Sequence, residues 1–399
     1  GDLPAGYHEL HLESDNLDEV CPLIVVPAAL STNAEVVQDP VWGVMAQLYS
    51  VRSLDSWGIG DFNDLGAIAE AVAAGMRLGI MTDLAVGIHP GGADAATLHE
   101  VLVPDASEGA PPDQYSQQGQ DWSQPPWNPQ QLAEAGYGPW RDLLRTVLRH
   151  SGGIRVDHVL GLFRLFWLPR MDTPMHGAYM NYDFEAMVGV LVLEAQRAGA
   201  VVVGEDLGTF EPWVQDVLRD KGILGTSVLW FESVPPEAPR PSQQYRNLAL
   251  TAVGTHDLPP TAGYLEGAHN ALRHKLGLVK ESLEELNATD AVWISQVLAA
   301  AQAEGAFDNS PLADVDFLDR DLGEYDDVDT LVEGLTRFVA STPSAMTCTN
   351  LVDMVGDTRI QNQPGTNREM YSNWCIPLCD ASGTPCLLYT SPSPRDKRQ

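Results

Sequence analysis

The sequence predicts an α/β protein built on a parallel sheet or barrel. Two features carry that expectation. Short apolar runs alternate with helical patterns over most of the 399 residues, and several of the apolar runs end in charged side chains. A parallel strand buried on both faces reads as nearly continuous apolar sequence, so charges at its C-terminal end mark the mouth of the sheet, where such folds keep their chemistry.

Taken in order, residues 1–36 hold two strand-like runs, YHELHLES and PLIVVPAAL, separated by an acidic turn. Two strands do not make a stable domain, so this part is expected as the remnant of an N-terminal β domain. From residue 37 to 386 the alternating pattern predicts strands over 41–49, 78–86, 152–159, 201–207, 224–231, 248–257 and 346–354. Helical patterns stand between them, among them FEAMVGVLVLEAQRAG (184–199) and EPWVQDVLRDKG (211–222), with a helical insertion over 264–342. A closed β/α barrel needs one strand more than these seven. A single helix, DFNDLGAIAEAVAAGMR, joins the first strand to the second, and the shortfall is placed there, near 67–78. Residues 105–130 read as a long functional loop, because Tyr115, Trp122 and Trp127 argue against disorder. Residues 387–399, LLYTSPSPRDKRQ, turn abruptly to Ser-Pro and basic residues and are read as a non-native tail.

Charge narrows the partners. With 55 acidic against 23 basic residues the chain carries a net charge of −32, a field that repels nucleic acid and anionic lipid and suits a neutral substrate. No apolar run approaches a membrane span, and no secretory signal is seen. Cys21, Cys348, Cys375, Cys379 and Cys386 are odd in number and lack paired CxxC units, so they are read as free thiols of a cytoplasmic protein.

Four strand ends carry the polar residues: Asp83; Arg155, Asp157 and His158; Glu205 and Asp206; His256 and Asp257. A lone acid at a strand end is commonly a helix cap, and Asp206 fits that role. Carboxylates on several strand ends suit glycosidic-bond chemistry, in which one carboxylate attacks and a second gives its proton to the leaving oxygen. Arg155 lies two residues from Asp157, so both face the same way and the cation keeps Asp157 ionised. Glu205 follows three valines, an apolar setting that raises a carboxyl pKa. Asp157 is therefore read as nucleophile, Glu205 as acid/base and Asp257 as stabiliser of the charged sugar.

The order Asp83, Arg155-x-Asp157, Glu205, His256-Asp257 resembles the signature of the α-amylase clan. The words WGVMAQLYSVRSLDSWGIGDFNDL, DLAVGIHPGGADA, GAPPDQYSQQGQDWSQPPWNP, IRVDH, VVGEDLGT, GTHDLPPTAGYLEG and GDTRIQNQPGTNREMYSNW are similar to the 4-α-glucanotransferase (amylomaltase, disproportionating enzyme) family of actinobacterial type. The resemblance covers about residues 3–386. It implies a (β/α)8 TIM barrel, here short of one strand and a helical subdomain and preceded by a truncated β extension. It implies a covalent glucosyl intermediate on Asp157, with acid/base and stabilising roles for Glu205 and Asp257. Asp83, Arg155, His158 and His256 fall at sugar-binding positions, and Trp122 on a lid beside the acceptor. Maltooligosaccharides and glucose are the implied partners, with no metal or organic cofactor. Three rivals stand beside this reading: an α-glucan hydrolase of the same clan, a metal-dependent amidohydrolase using His89, His158 and His256, and a non-catalytic remnant. The amidohydrolase ranks low because VWGVMAQLY lacks a His-x-His pair.

Overall fold

The structure, a computed structural model, describes residues 3–388 except 74, 113–117, 209, 236, 319 and 326. Tyr115 and residues 389–399 of the tail thus lie outside the described residues. The chain divides into two compact units, residues 1–38 with 76–226 and residues 39–75 with 227–399. In chain order the strands are β1 (Gly6–Ser14), β2 (Leu17–Val25), β3 (Val41–Met45), β4 (Met81–Leu84), β5 (Ala106–Ala110), β6 (Gln120–Asp121), β7 (Gly153–Val156), β8 (Arg164–Pro169), β9 (Ala178–Asn181), β10 (Val201–Gly204), β11 (Gly225–Val228), β12 (Ser233–Val234), β13 (Ala238–Pro239), β14 (Ala249–Ala252) and β15 (Met346–Asn350).

In the first unit β10, β7 and β4 form a parallel sheet in that order. The three valines of β10 and Ile154 of β7 are fully buried, each worth about 1.5–3 kcal/mol of transfer energy. The helix Phe184–Ala198 is apolar on nearly every face and buried from Met187 to Ala195, as befits an interior helix. Asp183 caps its start by accepting from the Ala186 N–H, and Gly199 ends it at φ 68°. Its one buried acid, Glu194, is matched by Arg145 at 2.7 Å, Arg197 at 3.0 Å and the Tyr7 hydroxyl at 2.8 Å.

Through Tyr7, the β1–β2 hairpin is joined to this unit. The hairpin is antiparallel with Ser14 opposite Leu17, so the turn is only Asp15-Asn16. The acidic stretch Leu17–Glu19, expected in the turn, is strand. On the helix Ser31–Gln38, buried Asn33 donates to the Val202 carbonyl and accepts from the Val202 N–H, so a side-chain amide meets the backbone of β10.

The 105–130 stretch departs most from expectation. It is not one loop: β5 and β6 join β8 and β9 in a four-stranded sheet ordered β6-β5-β8-β9, antiparallel throughout. Its strands ASEGA and QD have little β propensity of their own; pairing with RLFWLP holds ASEGA extended, and ASEGA in turn pairs with QD.

In the second unit the sheet order is β11-β14-β15-β3, with β14–β15 and β15–β3 parallel. The expected helical insertion over 264–342 holds helices Ala268–Lys275, Leu283–Ala303 and Val328–Ala340, and the helix Thr261–Leu265 begins just ahead of it. Ser282 and Glu285 close a capping box at the start of the longest of these. All seven expected parallel strands exist, each shorter than its apolar run. The residues just after β3, β11 and β15 form short helical turns. No helix of the described residues is long and apolar enough to cross a membrane.

Candidate active site

In the first unit the ends of β4, β7 and β10 gather five of the predicted residues. Strand register sets Asp83 opposite Arg155. One guanidinium nitrogen, Arg155 Nη1, lies 2.7 Å from Asp83 Oδ1 and 3.0 Å from Asp157 Oδ1. Burial works against the Arg155 charge, but Asp83, Asp157 and Glu205 outweigh it and hold the pKa above the usual guanidinium value. The cation is permanent, and Asp157 sits against it.

Beyond the strands the backbone continues the pairing. The Asp157 N–H donates to the Leu84 carbonyl, the Glu205 N–H to the Val156 carbonyl, and the Val159 N–H to the Glu205 carbonyl. This interlock brings β10 so close that a Cβ on Gly204 would meet Val159 Cγ1 at 2.8 Å, which reserves the position for glycine. Between the two acids His158 holds a left-handed backbone, φ 42°, a strained state for a side chain of its size. That conformation aims its N–H at Glu205 Oε2, 3.1 Å away, while the Leu207 N–H donates to Oε1 at 2.6 Å.

Two backbone N–H groups thus hold Glu205, and its pKa is pushed up to about 7. Burial is the main cause and the Asp157 charge the second, opposed by the Leu207 N–H, the Arg155 cation and the His158 N–H. Burial also lowers the pKa of the His158 imidazole, against the pull of Asp157. The two acids thus receive opposite treatment, one beside a cation and the other short of solvent and near an anion. Asp206, the neighbour of Glu205, accepts from the Thr226 N–H and the Gln215 amide, in keeping with a structural role.

Trp122 reaches this cluster. Its ring stands edge-on to His158 with centroids 5.3 Å apart, and its N–H bonds Gln120 Oε1 at 3.1 Å. A cavity of about 260 Å³ opens beside Asp157 and His158, lined by Gly87, His89, Trp127 and Tyr182 among others; Glu205 does not line it.

His256 and Asp257 lie in the second unit, past the end of β14. Asp257 Oδ1 accepts from the Asn362 amide at 3.4 Å, and its Oδ2 lies 3.5 Å from His256 Nε2. The Trp374 ring lies 5.7 Å from His256 and 6.4 Å from Tyr49, whose hydroxyl donates to Gln361 at 3.1 Å. The sequence reading singled out none of Tyr49, Asn362 and Trp374 as site residues. Two of them stand in the motif GDTRIQNQPGTNREMYSNW, the signal that was there to be used.

Among the described residues no three His, Cys, Asp or Glu side chains converge as metal ligands, and His89 instead accepts from the Gly91 N–H.

Comparison with known proteins agrees with the geometry. A family model described as 4-alpha-glucanotransferase (glycoside hydrolase family 77) matches residues 66–381. The 4-alpha-glucanotransferase of Mycobacterium tuberculosis is 45% identical over 384 residues, spanning 87% of this chain and 51% of the relative. That of Haemophilus influenzae is 33% identical over 305 residues, 76% of this chain and 42% of the relative. The chain spans about half the length of the curated relatives it matches. Among solved structures, amylomaltase from Corynebacterium glutamicum gives a TM-score of 0.90 at 42% identity, covering 97% of this chain and 78% of that one. Amylomaltase from Streptococcus agalactiae, TM-score 0.59 at 18% identity over 80% of this chain and 57% of that one, adds a likeness of fold alone. The fold is TIM-barrel-like α/β, and the chain belongs to the 4-alpha-glucanotransferase family of glycoside hydrolases.

Proposed function

We propose that the protein carrying this chain is a 4-α-glucanotransferase that moves segments of α-1,4-glucan between maltooligosaccharides, with glucose as the shortest acceptor. The carrying observation is the opposite treatment of two neighbouring acids: Asp157 lies 3.0 Å from the Arg155 cation, while Glu205 is raised to about 7. An ionised Asp157 attacks the anomeric carbon and displaces the leaving sugar, whose oxygen takes the Glu205 proton. Glu205, now a carboxylate, removes the proton of an acceptor hydroxyl, which attacks the glucosyl–Asp157 ester and restores both acids. Asp257 holds the hydroxyls of the distorted ring. Asp83, Arg155, His158 and His256 bind sugar, and Trp122 offers an apolar ring to a glucose face. No metal or organic cofactor enters this reading. The five free thiols favour the cytoplasm, where glycogen and maltose-derived glucans are at hand.

The test is product chromatography after incubation with maltotriose. Glucose together with longer α-1,4-glucans is expected. Glucose and maltose without chain extension would replace the transferase with a hydrolase.

We also propose that one βα unit and a helical subdomain are missing near residues 67–78. Among the described residues β3 and β4 each end their sheet. On the second unit the large apolar side chains Trp42, Trp57 and Phe62 are 77%, 93% and 85% exposed. The greater length of the relatives supports the same view. Sequencing the source DNA across codons 60–80 separates a deletion carried by the gene, which reads as an unbroken match to the present sequence, from a mis-assembled sequence, which reads as an interposed coding stretch.

A further inference from the structure

A second hollow in the first unit, about 310 Å³, lies outside the carboxylate cluster and shares His158 and Tyr182 with the cavity beside Asp157. One wall comes from the antiparallel pair β8–β9, where Arg164 stands opposite Asn181. The Arg164 guanidinium carbon sits 4.4 Å over the Tyr179 ring, and its Nη1 lies 2.8 Å from Glu211 Oε1. The side chain is held by a ring on one side and a carboxylate on the other. The opposite wall is aromatic. Phe163 stacks on Phe184 with centroids 5.2 Å apart, and Trp213 meets them at 5.7 and 5.3 Å. Phe163 is buried, whereas Trp213 is 46% exposed. The inner rings brace an outer one whose face is left to solvent.

The lining has two characters. The rings offer apolar faces, and Arg164, Glu211 and Asn181 offer planar donors and acceptors within the same small volume. A purely apolar ligand would strip water from the Arg–Glu pair without replacing its hydrogen bonds, which disfavours it. An anion would meet an already neutralised cation in a chain of net charge −32. A pyranose ring satisfies both walls, since its C–H faces stack on aromatic rings while its hydroxyl groups reach the rim.

We infer that this hollow is an accessory glucan site, taking a glucose unit of a chain whose reacting end lies past His158 at Asp157 and Glu205. The site rests on the glucan reading above, and it adds a reason for long chains to be held better than short ones.

The test uses the full chain carrying Asp157→Asn, so that turnover does not consume the ligand, with maltoheptaose and maltose binding measured by calorimetry. Trp213→Ala should weaken maltoheptaose binding about tenfold, and Tyr179→Ala about threefold, the range for loss of one aromatic contact. Maltose, too short to span both places, should bind all three proteins alike. If Trp213→Ala melts early, Tyr179→Ala decides, because its ring lies on a solvent-facing strand. Unchanged maltoheptaose binding by a normally melting variant would overturn the site, as would no binding by the parent. Trp213-dependent binding in a chain that fails to disproportionate maltotriose would keep the site and remove the transferase reading.

Discussion

Glu205 and Glu108 are both acids of the first unit whose protons are held on by burial, yet they stand in unlike places. Glu205 ends β10, accepts two backbone N–H bonds and has Asp157 beside it; its pKa is about 7. Glu108 lies inside β5, fully buried, with neither carboxylate oxygen bonded, and burial alone lifts it to about 8. The nearby Gln124 Oε1 is likewise unbonded, and a Cβ on Gly87 would fall 2.4 Å from Glu108 Oε2 and 2.8 Å from that amide oxygen. Ranked by pKa alone, Glu108 would come first. The contrast teaches that desolvation raises a pKa anywhere, whereas a catalytic acid also needs a partner charge and a fixed direction. Glu205 has both, and Glu108 has neither.

The largest effect should come from removing the charge that separates the two cases. Asp157→Asn should lower turnover of maltotriose by at least about four orders of magnitude, because an amide neither attacks nor leaves. The same change should lower the Glu205 pKa, since the Asp157 anion helps to raise it. Carbon NMR of labelled glutamate reads this directly, and an unmoved Glu205 titration would show that the two acids do not interact.

Next comes Glu205 itself. Glu205→Gln should lose about 10²–10⁴ in rate on maltotriose and lose less on a glucosyl fluoride, whose leaving group needs no proton in the first step. Glu108→Gln should change neither rate. In the parent the acid form of Glu205 is lost as pH rises, so kcat/KM for maltotriose should fall above about 7. Equal losses on both substrates would remove Glu205 from the acid role.

Stability should respond the other way round. A carboxyl whose folded pKa lies above its unfolded value binds more protons folded than unfolded, so stability falls as pH rises from the unfolded pKa to the folded one. For Glu108 that window runs from about 4.5 to about 8. Glu108→Gln stays neutral throughout, and its amide can donate to Gln124. It should stabilise the chain by about 2–4 kcal/mol at pH 8 and by little at pH 4. Thermal melts at the two pH values decide; a loss of stability at pH 8 would mean that Glu108 has a partner when charged.

How much of this was legible follows from where each signal sits. The seven parallel strands and the residues Asp83, Arg155, Asp157 and Glu205 were readable because charge at the end of an apolar run is a local pattern. Trp122 was readable as an aromatic in a polar stretch. The β5–β6–β8–β9 sheet was not, because ASEGA becomes a strand by pairing with β8, more than 50 positions further on, and QD only by pairing with ASEGA. Glu108 was hidden for the same reason: within a stretch read as loop, nothing marks an acid as buried. Asn362 meets Asp257, Trp374 meets His256 and Tyr49 meets Trp374, each across 100 residues or more of chain, a distance that periodicity cannot bridge.

The smallest effect expected is that of Glu205→Gln on stability, and it sharpens the comparison most. The pKa window alone, from about 4.5 to about 7, would give this change a gain at pH 8 not far below that of Glu108→Gln. Here, however, each carboxylate oxygen already accepts a backbone N–H, from Leu207 and from His158. An amide has one accepting oxygen, so its NH2 must face the other N–H. Leaving that donor unmet costs about 1–3 kcal/mol, which offsets the relief from desolvation. The net change at pH 8 should therefore stay within about 1 kcal/mol, and at pH 4, where no relief is available, the variant should be less stable than the parent by the full cost of about 1–3 kcal/mol. A gain at pH 8 as large as that of Glu108→Gln would show that the His158 and Leu207 N–H groups do not hold Glu205, and with them would go its fixed direction.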